Sequence, residues 1–308
     1  MLIEADRRLV IGGLTLAVAG LLLPDAIGAL VASDSVDTLF QALLTATITG
    51  VTLVLTLNQL VLSQELGAVG DQRERMAGAL DFRDDVADSI GAPVSPARPS
   101  QFLRALVQVA AQRGADLRAA VDEDHPSHEQ VVDLTDSLRD NAEAVASDLD
   151  GAQFGTFAVL SAALNFNYSW NIFAAQRLRE RDDVDGEAAA ALDRLIDVLE
   201  LFGPAREHFK TLYFQWELIT LSRGILTAAL PALLVAVCMI AFFDPTRYAA
   251  GPFGGVFLVL LVAAAVTAAI LPFLVLFAYV LRIATVTKHT LSIGPFILRE
   301  TDQVVEVT

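Results

Sequence analysis

The uncharged stretch from Thr38 to Ser63, TLFQALLTATITGVTLVLTLNQLVLS, is apolar enough to cross a bilayer, yet hydroxyl and amide residues keep returning along it. They are Thr38, Gln41, Thr45, Thr49, Thr52, Thr56, Gln59 and Ser63, separated by steps of 3, 4, 4, 3, 4, 3 and 4. The mean step is close to the roughly 3.6 residues of one α-helical turn, so the stripe runs almost straight along one helix. Hydroxyls and amides can replace part of an ion's hydration shell, and neutral walls give weak charge selectivity. If several copies surround an axis, Gln41, Thr45, Thr49, Thr52, Thr56, Gln59 and Ser63 line a wet, neutral path. Glu65, just beyond, forms an acidic ring at the cytoplasmic mouth if it also faces the axis. The other reading is dry helix packing, in which the same polar groups bond back to the preceding turn or across an interface for about 0.6–2 kcal/mol each. Thr47 and Asn58 lie off the line, so polar residues are not confined to it.

Other chemistry is sparse. VDEDHPSHEQ brings His125 and His128 beside four acids, but no second ligand cluster accompanies them. Hydrogen-bonding imidazoles in a loop are therefore expected there, with no metal and no cofactor. Walker A, H-E-x-x-H, G-x-S-x-G and Rossmann glycine patterns are absent, and no acid, base and nucleophile set presents itself, so an enzyme is not expected. Cys238 is the only cysteine, which excludes a disulfide within the chain and a cysteine-based metal site.

Four segments are long enough to carry such a stripe across a membrane: Leu9–Ala32, Thr38–Ser63, Gly224–Phe243 and Gly255–Leu281. Each covers a hydrocarbon core of about 30 Å at about 1.5 Å per helical residue. The last three contain no charged residue, which counts against a proton-coupled carrier. Pro231 and Pro272 each remove a helical hydrogen bond within the third and fourth segments. A fixed kink is the reading preferred over a gating bend. Small residues in VAAAVTAA, through Ala264 and Ala268 or Ala265 and Ala269, offer the fourth segment a face for close packing. Arg7, Arg8, Arg282, Lys288 and Arg299 flank one side of these segments, while the 24–37 loop has no basic residue and the 244–254 loop has only Arg247. Both termini and residues 64–223 are accordingly expected in the cytoplasm, on a multi-pass protein of the cell membrane.

Residues 64–223 hold 28 acidic and 15 basic residues and read as helices throughout. QELGAVGDQRERMAGALDFRDDVADSI can prolong the second span, until GAPVSPARPS breaks it. QFLRALVQVAAQRGADLRAAV shows helical spacing, and Ser127 with Gln130 forms a capping-box signature before the next helix. Residues 154–183 are apolar at first but carry Asn165, Asn167, Tyr168, Ser169, Trp170 and Asn171 in their middle. A buried or membrane-surface helix is expected there in preference to a fifth span. GEAAAALDRLIDVLELF reads as a further helix ended by Gly203-Pro204. Phe209, Tyr213 and Trp216, beside Arg206 and Lys210, fit an aromatic belt at headgroup depth.

The whole chain of 308 residues is 54% hydrophobic with a mean hydropathy of +0.53, yet carries a net charge of −16. Its only lysines are Lys210 and Lys288. Such an acidic, lysine-poor surface reads as that of a halophile, whose salt screens charge over short distances, and it disfavours nucleic acid as a partner.

LNQLVLSQELGAVGDQ (57–72) and FKTLYFQWELITLSRG (209–224) resemble segments of uncharacterised multi-pass membrane proteins of halophilic archaea. The resemblance implies two spans, an acidic helical insert and two more spans, with no assigned activity. The span order is also similar to that of bestrophin-type anion channels, which are pentamers with the second helix lining the pore. This chain has the threonine ladder in place of their bulky aromatic neck, so that likeness carries no residue roles.

The expectation is therefore an all-α integral membrane protein. Transmembrane helices 1 and 2 lie in residues 1–63, an acidic cytoplasmic helical domain in 64–223, helices 3 and 4 in 224–281, and a tail in 282–308. Its partners are expected to be the lipid bilayer, further copies of itself and ions, as a homo-oligomeric channel. A non-conducting scaffold or sensor, whose acidic lobe binds a partner, is the alternative.

Overall fold

The structure, a computed structural model, describes residues 33–65, 68–245 and 254–289. The expected first span, Leu9–Ala32, lies outside them, as do most of the 244–254 loop and of the tail. Among the described residues the elements are all helical, and the one β-bridge joins Phe154 and Thr156. In chain order they are α1 (Ser33–Glu65), α2 (Val69–Ser89), α3 (Pro99–Ala119), α4 (His128–Leu149), α5 (Phe157–Leu164), α6 (Tyr168–Arg179), α7 (Gly186–Phe242) and α8 (Gly254–His289).

The chain divides into two compact units. One takes residues up to Leu66 and Glu217–Lys288, the other Gly67–Trp216 and the C-terminal residues. Among the described residues three helices are long and apolar enough to cross a membrane: α1 over Ser35–Leu60, α7, and α8 over Gly255–Leu281.

In the first unit, α1, the later part of α7 and α8 share two apolar clusters. Val36 and Phe40 meet Ala236, Met239, Val262, Ala265, Val266 and Ala269 in one. Val54 meets Leu221, Ile225, Ala228, Val275 and Tyr279 in the other. Early residues of α1 thus pair with late residues of α7 and early residues of α8. It follows that α7 runs antiparallel to both other helices. Of the two small-residue faces open to α8, the buried one is that of Ala265 and Ala269. Small side chains there let the backbones approach closely, which is how helices associate where no hydrophobic effect drives them together.

The second unit has an apolar core of its own. Phe102, Leu103, Leu106, Val107, Ala110 and Leu117 of α3 recur at three- and four-residue steps and are buried with Val131, Leu134, Leu138, Ala142, Val145 and Leu149 of α4. Pro99 opens α3 at a position where its missing N–H is not needed. Gly91 ends α2 with φ at +65°, the Gly91 amide donating to Asp88 and the Ala92 amide to Ala87 at 3.0 Å. That is a Schellman closure, and the left-handed position favours glycine. The insert helix α2 therefore stops at its own cap at the start of GAPVSPARPS, four residues before Pro93, the first of the prolines at 93, 96 and 99. Its start is likewise its own. α1 ends at Glu65, and α2 begins after Ala68 with an extended backbone, so α2 does not simply prolong α1.

Three further expectations need correction. The segment 154–183 is two short helices, α5 and α6, of 8 and 12 residues. Neither approaches the roughly 20 residues a span needs. The break between them is held by Asn141, whose amide donates to the Asn165 carbonyl and accepts from the Asn167 amide, both at 2.9 Å. Helix α7 does not stop at Gly203-Pro204. Leu199, Phe202 and Ala205 are buried on both sides of the pair, and Tyr168 comes so close to Gly203 that an added Cβ would lie 3.1 Å from its ring. Packing thus outweighs the single hydrogen bond that proline removes. Finally, Ser127 precedes α4 but makes no side-chain cap: its backbone (φ −95°, ψ 5°) is not in the extended form of an N-cap, and its hydroxyl is turned toward Asp183, to which it donates at 2.7 Å.

Candidate functional site

Helix α1 has two opposite sides. Val36, Phe40, Thr47 and Val54 are buried against α7 and α8. At about 100° per residue these cluster on one side, and the ladder lies about 160° round from them. Thr38, Gln41, Thr45, Thr49, Thr52, Thr56, Gln59 and Ser63 are all exposed. Thr47 and Asn58, the polar residues off the line, are buried and half-buried on the packed side. Among the described residues the ladder therefore lies away from the side of α1 that packs on α7 and α8.

The hydroxyl protons are committed within α1. Thr45 donates to the Gln41 carbonyl at 3.0 Å, Thr49 to Thr45 at 2.9 Å, Thr52 to Ile48 at 2.9 Å and Thr56 to Thr52 at 2.9 Å. Ser63 donates to Leu60 at 2.7 Å. What each hydroxyl turns outward is its oxygen, with lone pairs still open to a donor or a cation.

Two apolar ridges border the ladder, a feature the polar spacing alone did not reveal. Ile48, Leu55 and Leu62 recur every seven residues along one border, and Leu53 and Leu60 along the other. All five are exposed, Leu53 at 62%. Seven-residue spacing of branched apolar residues was the available signal for these ridges. Glu65 is the last residue of α1, and its side chain lies outside those described.

The prolines sit differently. Pro231 is exposed within α7 and Pro272 buried within α8, both inside unbroken helices. Of the aromatic trio, Tyr213 is only 2% exposed and Phe209 is half-buried. Phe209 lies edge-on to Phe102 with ring centres 5.8 Å apart, and Tyr213 is 6.0 Å from Phe157. These two rings belong to the packing of the second unit. Trp216 is exposed and rests against Gly155, where an added Cβ would lie 3.3 Å from the indole. With φ at +94° as well, Gly155 is constrained twice over.

Arg206 is 3% exposed, its guanidinium carbon 4.6 Å from the centre of the Tyr168 ring. It donates to the Tyr168 hydroxyl at 3.2 Å and to Glu207 at 2.9 Å. A planar guanidinium stacked on an aromatic face and paired with a carboxylate is the form in which a buried cation is tolerated.

His125 closes a loop. Its Nδ1 accepts from the Ser127 amide at 3.1 Å, which leaves Nε2 to donate to the Asp183 carbonyl at 3.0 Å. Asp183 also accepts from Ser127 and Arg181, and these bonds, Arg181 first, lower its carboxyl to a pKa of about 2. Among the described residues no group of three or more metal-ligating side chains comes together.

Residues 1–308 match a protein family described as a family of unknown function, DUF7972. The chain belongs to that family. No curated protein and no solved structure matches this DUF7972 chain. Among the described residues, the face of α1 turned away from α7 and α8 is the most distinctive feature.

Proposed function

We propose that this DUF7972 chain is a homo-oligomeric ion channel of the cell membrane, with α1 around the axis and its ladder toward the lumen. The observation that carries the reading is the order of residues across the exposed side of α1: an apolar ridge, the polar ladder, and a second apolar ridge. A helix facing lipid alone gains nothing from that order. In a ring it does both jobs, the ladder meeting water and the flanking ridges meeting adjacent copies. Gln41 and Gln59 stand near the two ends of the path. Both termini and residues 64–223 are cytoplasmic in this arrangement, following the placement of Arg and Lys. The acidic, lysine-poor surface suits a halophile's interior.

Planar-bilayer recording with Thr52→Leu and Thr56→Leu tests the reading. Parent channels should conduct and the leucine variants should lose most of that conductance. No current from the reconstituted parent, or identical currents from all three, counts against it. A mass measurement in native lipid adds a separate check, since a strict monomer cannot close a pore from one such helix.

A second reading is favoured by the back-bonded hydroxyls themselves. A threonine whose proton is satisfied within its own helix is tolerated by lipid. The chain is then a non-conducting scaffold or sensor whose acidic lobe binds a partner.

A further inference from the structure

We infer that the path along α1 passes cations in preference to anions, an inference that rests on the channel reading and gives it a substrate class. A cation sheds water only where oxygens replace it, and an anion only where N–H or O–H donors do. Along the middle of the ladder the hydroxyl protons of Thr45, Thr49, Thr52 and Thr56 are bound to backbone carbonyls at 2.9–3.0 Å. The exposed oxygens are acceptors with no proton to offer. An anion would have to break these bonds to gain a donor, whereas a cation meets the oxygens as they stand. Side-chain amides enter the ladder only at Gln41 and Gln59, and no basic residue occurs from Thr38 to Ser63. The net charge of −16 adds a field that concentrates cations near the protein at low ionic strength. Neutral walls need not be indifferent to sign, because the direction of their dipoles decides it. Selectivity of this origin should also differ from that of a charged ring by surviving high salt, where screening weakens charges more than contact with oxygen.

The test uses the full chain in planar bilayers under a KCl gradient, with Thr52→Val, Thr56→Val and the corresponding serine variants. Valine keeps the branched shape and removes the oxygen, and serine keeps the oxygen. The parent should reverse toward the potassium equilibrium potential. The valine variants should lose conductance and cation preference, and the serine variants should retain both. A parent reversing toward the chloride potential overturns the inference while leaving conduction standing, as do valine variants that keep the parent's preference. No current from the reconstituted parent overturns the inference and the channel reading together. The sign of the parent's reversal potential decides the matter even if a variant fails to assemble.

Discussion

Thr56 donates its hydroxyl to the carbonyl oxygen of Thr52 at 2.9 Å, and Thr52 in turn donates to Ile48. The hydroxyls of Thr45, Thr49, Thr52 and Thr56 are each tied to the turn before them, so their protons are satisfied without any ligand. The same bonds fix which end of the hydroxyl dipole faces out. A stripe of this kind is stable in an isolated chain and chemically directional in an assembled one.

Because the ladder is exposed, removing its hydroxyls should leave the fold of the unit intact. Thr52→Val and Thr56→Val should each change stability by no more than about 0.5 kcal/mol, as measured by reversible unfolding in detergent. Phe40→Ala, on the buried side of the same helix, should lower the unfolding midpoint clearly.

The lobe should show the usual contrast between core and surface. Leu195 is fully buried in the apolar cluster, and Leu195→Ala should cost about 2–5 kcal/mol through lost contacts and a residual cavity. Met76 on α2 is 62% exposed, and Met76→Ala should stay within about 0.5 kcal/mol. Urea unfolding followed by Trp170 and Trp216 fluorescence distinguishes them.

Asn141 joins α4 to the break between α5 and α6 through two hydrogen bonds. Asn141→Ala leaves the Asn165 carbonyl and the Asn167 amide to water, and should cost about 1 kcal/mol in the same urea assay. Faster amide exchange at Asn167 is the local sign to look for.

Asp183 supplies a pH dependence. Its folded pKa of about 2 lies below the ordinary 3.8, because Arg181 and Ser127 bond its charged form. Between those values the unfolded chain binds more protons, so stability falls with falling pH. The contribution is complete above about pH 4 and is lost as pH drops toward 2. Asp183→Asn should flatten this part of the unfolding curve while leaving the neutral-pH behaviour of other acids unchanged.

Much of the helical content was legible in the sequence, since three-and-four spacing of apolar residues in α3 and α4 has one structural meaning. The straight run of the ladder was legible for the same reason. Helix ends were not. Gly203-Pro204 is a strong local stop signal, yet buried residues on both sides carry α7 through it. Ser127 has the residue type and spacing of a cap, but Asp183, distant in sequence, takes its hydroxyl. Tyr213 has the composition of a headgroup anchor, while its burial depends on α5 folding against it. Which side of α1 the ladder occupies also depended on α7 and α8, and no pattern within α1 alone specified that it would face away from them.

The most direct test is whether water reaches the ladder in the assembled membrane protein. With the exposed native thiol removed by Cys238→Ser, single cysteines are placed at Thr45, Thr49, Thr52 and Thr56, and at Leu53 and Leu60 for comparison. Proteoliposomes are then treated with a charged, membrane-impermeant thiol reagent. Rapid labelling at the four threonine positions, with little at the two leucines, is the result predicted. Protection at all four threonine positions, or labelling no faster than at Leu53 and Leu60, would contradict the account.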